Sequence, residues 1–221
     1  MINQRVNHLT LADKVYEEIK KDILVHKIAP GSKLGESMLS EMYQVSATPI
    51  REALKRLRSD GFLEYQPYGG HVLKQISLKE ICDIYDVRNS LEILALQQAS
   101  PCITKEDLIF LEQNAMQTVE KITGKEDEFV ITYNKWNDEF HQFFIDKSMN
   151  SWIAKTMKSI NDYLFWTRVP LTKTKRSDQS QSEHLSIINA LKKEQVNEAI
   201  SLLSNHIRRV KQEVIDFEKM R

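Results

Sequence analysis

The sequence is short of everything that would place it among fibrous, disordered, membrane-spanning or disulfide-stapled proteins. Only 6 glycines and 5 prolines occur in 221 residues, which excludes collagen-like and low-complexity chains. No run approaches 18 consecutive apolar residues, so no membrane-spanning helix is expected. The first residues, MINQRVNHLTLADKVYEE, lack an apolar signal core, and cysteine is limited to Cys82 and Cys102. A cytoplasmic chain with two ordinary free thiols is the expectation. Neither charge sign is in excess: 31 Lys+Arg against 31 Asp+Glu give a net charge of zero. Bulk charge therefore argues neither for nor against nucleic acid. What is there, 41% hydrophobic and 28% charged residues, suits one large or two small globular domains.

The scarce glycines are unevenly spread, since Gly31, Gly35, Gly61, Gly69 and Gly70 all precede residue 71 and only Gly124 follows. Turn-rich structure is expected first and long helices after it. Apolar residues recur at helical spacing from Leu11 to Leu24. Pro30 and Gly31 then force a turn, and a short helix follows from about Glu36 to Tyr43. Thr48 is expected as the N-cap and Pro49 as the first residue of the next helix, which should run to Asp60 with Gly61 as its stop. Residues 62–66 and 71–75 alternate and can pair as a hairpin across Pro67 to Gly70. After Ser77, a cap with Glu80 three residues on, the pattern gives helices at about 78–99, 104–122, 126–146, 151–168, 180–192 and 195–218. The expected architecture is mainly α: three helices and a small hairpin over 1–75, then an all-helical antiparallel bundle over 76–221.

On the helix from Pro49, Ile50, Ala53, Leu54 and Leu57 form a buried stripe, while Arg51, Lys55 and Arg58 line a neighbouring face. A short helix, a tight turn and a helix with a basic ridge are what a helix-turn-helix needs to enter the major groove and hold phosphates. The charge pattern alone also fits an ordinary solvated face. A glycine-tipped hairpin behind it supplies a wing that can approach the sugar-phosphate backbone closely. The segments PGSKLGESMLS (30–40) and VSATPIREALKRLRSDGFL (45–63) resemble the winged helix-turn-helix of GntR-family transcriptional regulators. The resemblance implies that Ser46, Thr48, Pro49 and Arg51 face DNA, joined by the wing tip at Tyr68, Gly69, Gly70 and His71; the spacing of the ridge puts Lys55 and Arg58 on phosphates. The chain departs from the family pattern at Ala47 and Gly69, where cations are usual.

In the later part, His141, His184 and His206 fall in three different expected helices, and Asn137 lies one turn before His141 on the same face. Nitrogen ligands from three helices with one oxygen would suit zinc, nickel or manganese; by spacing alone, separate histidines on helices are more often packed or surface residues. Residues 78–210 resemble the FCD ligand-binding domain of the FadR-type branch of the same family, through YDVRNSLE (85–92), NDEFH (137–141), Glu183-His184 and the later histidine. The resemblance implies Asn137, His141, His184 and His206 as metal ligands, with Asn137 where Asp is more common. It also places Arg88 in an effector pocket, where a guanidinium opposite a metal can grip a small carboxylate; a salt bridge to Glu92 is the other reading of Arg88. Tyr133, Trp136, Trp166 and Arg168 are further pocket candidates, or plain packing residues.

The expected protein is not an enzyme. It is a homodimeric DNA-binding regulator, a repressor on an inverted-repeat operator, whose DNA affinity is set by a small carboxylate at a divalent metal. Two alternatives stay open: a regulator with a metal-free pocket for an apolar or acyl ligand, and a helical metalloenzyme. The second lacks an HExxH helix or a glycine-rich phosphate loop.

Overall fold

In the computed structural model of the chain, which describes residues 10–67, 70–121, 126–173 and 177–220, the first helix begins at a capping box. The Asp13 amide donates to the Thr10 hydroxyl and the Thr10 amide to the Asp13 carboxylate, so two donors that a helix start leaves unpaired are satisfied. The helix, α1 (Leu11–Leu24), buries Val15, Tyr16, Ile19 and Ile23. Pro30 and Gly31, the latter at φ +84, turn the chain into a two-residue strand, β1 (Lys33–Leu34). Next comes α2 (Glu36–Tyr43), closed by Gln44 in the left-handed region at φ 55, ψ 43. The Gln44 side-chain amide donates to the Glu41 carbonyl at 2.7 Å. Helix α3 (Ala47–Ser59) packs Ile50, Ala53, Leu54 and Leu57 into the core it shares with α1 and α2. Gly61, φ +84, then releases the chain into the antiparallel strands β2 (Leu63–Gln66) and β3 (Gly70–Leu73), in register from Leu63↔Leu73 to Gln66↔Gly70.

Two expectations for this unit are corrected. The third helix starts at Ala47, with Ser46 as N-cap, so Thr48 is helical and Pro49 is the third residue of the helix. Proline is tolerated there because the first N–H groups of a helix have no intrahelical partner to lose. The sheet also has three strands in the order β1-β3-β2, with Leu34 opposite His71. A two-residue strand is too short to show any alternation in sequence.

The chain divides into two compact units, Met1–Ile76 and Ser77–Arg221. The second begins at the Ser77–Glu80 capping box, both halves of which form. It comprises α4 (Leu78–Ala99), a 3-10 turn at Ser100–Cys102, α5 (Lys105–Lys121), α6 (Glu126–Lys147), α7 (Ser151–Lys173), α8 (Ser177–Lys192) and α9 (Val196–Met220). Helix α4 lies against α6, α7 and α9, and α8 lies against α5 and α9. This matches the mainly α expectation, with two extensions: α8 starts at Ser177 instead of 180, and α7 continues through Pro170 to Lys173. A proline inside a helix removes one ladder bond and crowds the preceding turn. Burial of Val169, Leu171 and Thr172 on either side of it holds the helical path. Among the described residues, no helix is long and apolar enough to cross a membrane.

Candidate metal centre, anion cleft and nucleic-acid face

His141 on α6, His184 on α8 and His206 on α9 are buried, and one ligand nitrogen of each lies within 4.8 Å of the others. The Nε2 atoms of His184 and His206 face each other at 3.3 Å. A tetrahedral site with bonds of about 2.0–2.1 Å has an N···N edge of about 3.4 Å. The opposite ring nitrogens show which atoms are available. His141 Nδ1 lies 2.6 Å from Glu92 Oε2, and His206 Nδ1 lies 2.7 Å from Glu183 Oε2. A carboxylate only accepts, so in the neutral rings Nδ1 carries the proton and Nε2 a lone pair.

Burial, followed by the Arg88 charge, holds His141 well below the usual histidine range. Burial and then the neighbouring His206 and His141 do the same to His184. Burial also lowers His206, against the opposing hydrogen bond to Glu183. Although burial works to raise Glu183, hydrogen bonds to His206 and Arg209 bring its carboxyl down to about 2. Neutral imidazoles are the ligand form. Phe140 stacks on His184 at 3.8 Å, and Trp136 leans on the same ring at 5.4 Å, which fixes its plane.

The donor set fits a divalent ion. His141 Nε2 and the Asn137 side-chain nitrogen are buried without a hydrogen-bond partner, and turning the Asn137 amide presents its oxygen in the same shape. Asn137 and His206 both line a small solvent-open cleft of about 30 Å³, together with Arg88, Tyr133 and Arg168. Each arginine is half-committed. Arg88 Nε donates to Glu92 Oε1 at 2.7 Å while its Nη1 is buried with no partner. Arg168 Nη2 pairs with Asp138 while its Nε is buried with no partner. Arg88 thus lines the cleft and pairs with Glu92 at once.

Trp166 is buried on α7 and is not among the residues that line the cleft. Two residues along a helix rotate the side chain by about 200°, so Trp166 points away from the face that carries Arg168. Trp136 is likewise a ring-packing residue beside His184. Sequence reasoning gave no role to Glu183 or Arg209 and treated Glu92 only as a partner for Arg88. For Glu183 its place directly before His184 was the one visible signal.

On the first unit, Ser46, Thr48, Arg51, Lys55 and Arg58 are exposed along α3 and Pro49 is half-buried. Arg51 holds both Glu36 oxygens, through Nε at 3.0 Å and Nη2 at 2.8 Å. An exposed pair of this kind adds little stability but orients the guanidinium. Arg56 lies 4.0 Å over the Tyr16 ring and pairs with Asp13, so it belongs to the α1 contact and not to the ridge. At the wing, Gly70 has φ +71 and open space where a side chain would stand. His71 is half-buried edge-on to Tyr65, and burial, then Arg58, lowers its pKa. Tyr68 and Gly69 lie outside the described residues.

Comparison with known proteins agrees with this geometry. Residues 11–73 match the family model described as bacterial regulatory proteins, gntR family, and residues 83–209 match the FCD domain. The HTH-type transcriptional regulator YdhC of Bacillus subtilis (strain 168) is 30% identical over 180 residues, covering 80% of this chain and 79% of that protein. The HTH-type transcriptional repressor RspR of Escherichia coli (strain K12) is 25% identical over 205 residues, 91% of this chain and 87% of that one. The solved structure of E. coli McbR/YncC superposes with a TM-score of 0.74 at 18% identity, over 97% of this chain and 100% of that one, which shows a shared fold.

Proposed function

The chain belongs to the GntR family of bacterial regulatory proteins and carries an FCD domain, and from that premise we propose that its DNA affinity is set by a small carboxylate held at a divalent metal in the helical unit. Membership makes the chain a DNA-binding transcriptional regulator, as its relatives are, rather than an enzyme. The observation that carries the further reading is the convergence of three buried neutral histidines, two of them backed by carboxylates, around the unpartnered His141 Nε2.

In this reading His141, His184, His206 and Asn137 hold zinc, nickel or manganese. The bound ion supplies a Lewis-acidic position for a carboxylate oxygen. Arg88 Nη1 and Arg168 Nε, each short of a partner, hold the rest of the anion by charge-assisted hydrogen bonds. The all-neutral ligand set leaves the ion's charge for the anion to balance. On the first unit, Ser46, Thr48, Pro49 and Arg51 read the major groove, Lys55 and Arg58 hold phosphates, and the wing of Tyr68, Gly69, Gly70 and His71 meets the backbone. A single recognition helix spans too few base pairs for regulatory specificity, so a cytoplasmic homodimer on an inverted repeat completes the reading. The repressor name of RspR supports repression.

Metal analysis of the purified full chain, followed by anisotropy titrations of its own promoter DNA with zinc alone and with zinc plus succinate, tests this. A bound transition metal and a succinate-dependent change in DNA affinity are expected. Protein that carries no metal and whose DNA affinity ignores zinc and succinate would refute it.

A further inference from the structure

Glu92 is bonded in two directions at once. Its Oε1 accepts from Arg88 Nε at 2.7 Å and its Oε2 lies 2.6 Å from His141 Nδ1, and all three residues are between 1% and 4% exposed. We propose that Glu92 is a positioning residue: it fixes the tautomer of His141 that can bind a metal, and with the same carboxylate it aims Arg88 at the cleft. The proposal rests on the reading of His141 as a metal ligand.

The argument is one of donors and acceptors. A neutral imidazole has one N–H, and the partner at one nitrogen decides where it resides. His141 Nδ1 lies 2.6 Å from a carboxylate oxygen, with both residues buried, so the proton stays on Nδ1 and the lone pair on Nε2. Nε2, buried with no hydrogen-bond partner, is then the atom left to bind. Arg88 locks the other end, because a guanidinium has only donors and its Nε–H occupies the one Glu92 oxygen that His141 does not use. The spacing is set by α4, where positions 88 and 92 are one turn apart on one face. With Nε engaged, Arg88 lines the cleft while its Nη1 stays buried and uncommitted. Metal ligand and anion donor are therefore ends of a single hydrogen-bonded chain that crosses from α6 to α4.

Glu92→Gln separates this role from mere filling of space. The amide has the same shape, its carbonyl stays with the Arg88 Nε–H, and its NH2 group then faces His141. The ring can meet that donor only with a bare Nδ1, which moves its proton to Nε2 and blocks the metal position. Nitrogen-15 imidazole spectra of the zinc-free full chain, assigned with a His141→Gln spectrum, read the tautomer directly. Zinc titration in competition with a chromophoric chelator reads the consequence. Wild type is expected to show His141 protonated at Nδ1. Glu92→Gln is expected to show the reverse, and to bind zinc about 10- to 100-fold more weakly with unchanged far-ultraviolet circular dichroism. If Glu92→Gln does not fold, the wild-type spectrum decides by itself: an Nε2-protonated His141 overturns the proposal. Zinc that binds wild type and folded Glu92→Gln equally overturns it too, whereas zinc that fails to bind wild type refutes the metal reading on which it rests.

Discussion

Zinc is expected to raise the melting temperature of the helical unit by about 5–10 °C at pH 7.5 over the same protein in chelator. A ligand at a hundredfold excess over its Kd adds about 2.7 kcal/mol to the native state. In a unit of the size of Ser77–Arg221 each kcal/mol moves the midpoint by roughly 2–4 °C. The gain would be physical crosslinking: the proposed ligands come from α6, α8 and α9, and the ion would occupy the lone pair of His141 Nε2, which protein groups leave unpaired. The pH dependence follows from the lowered pKa of all three histidines. Above about 6.5 the rings are neutral in both folded and unfolded chains, so their contribution is fully present. Below that value the unfolded chain takes up protons before the folded one does, and stability falls by up to about 1.4 kcal/mol per pH unit for each histidine. Protons also compete directly with the ion, so the zinc increment should shrink at pH 5.5. All three tryptophans, Trp136, Trp152 and Trp166, lie in the helical unit, so fluorescence melts at pH 7.5, 6.5 and 5.5 report on it selectively. Superimposable melts in zinc and chelator at pH 7.5, or an increment that grows on acidification, would refute the reasoning.

Arg51→Ala should weaken binding to promoter DNA by about 1–3 kcal/mol if the guanidinium reads a base; unchanged anisotropy titrations of the folded variant would remove it from the interface. Asn137→Asp should bind zinc more tightly at neutral pH, because a carboxylate of the same reach adds charge attraction; chelator competition showing equal or weaker binding counts against Asn137 as a ligand. Light scattering at micromolar concentration should give the mass of a dimer, and a monomer both free and on DNA would end the inverted-repeat reading.

What the sequence shows by itself is what is local. The Ser77–Glu80 box, the apolar stripe of Ile50, Ala53, Leu54 and Leu57, and the stop at Gly61 are each decided within a turn or two, and the structure has them where the pattern puts them. Boundaries fail where tertiary packing overrides a local rule: α7 passes through Pro170, and α3 starts two residues before its proline. In the site, each histidine is visible as a helical residue, but nothing in spacing brings positions 141, 184 and 206 together; the family resemblance suggested it and the packing of α6, α8 and α9 does it. The partners are harder still. Glu92 and His141 are 49 positions apart, and no period links them, whereas Arg88 and Glu92 on one helix face were legible as a pair.

The turn between α2 and α3 hinges on Gln44, a residue with a Cβ in the left-handed region, where glycine would sit without strain. Such a conformation costs a non-glycine residue about 1–3 kcal/mol, offset in part by the side-chain bond to Glu41. That cost is incurred when the unit folds and not when it meets DNA. A glycine at this position would relax the folded turn but admit other angles between the two helices, and the double helix would then have to select one of them at an entropic expense. The strained residue would thus preset the angle between α2 and α3 before DNA is met, so that the unit would lose little conformational freedom on docking.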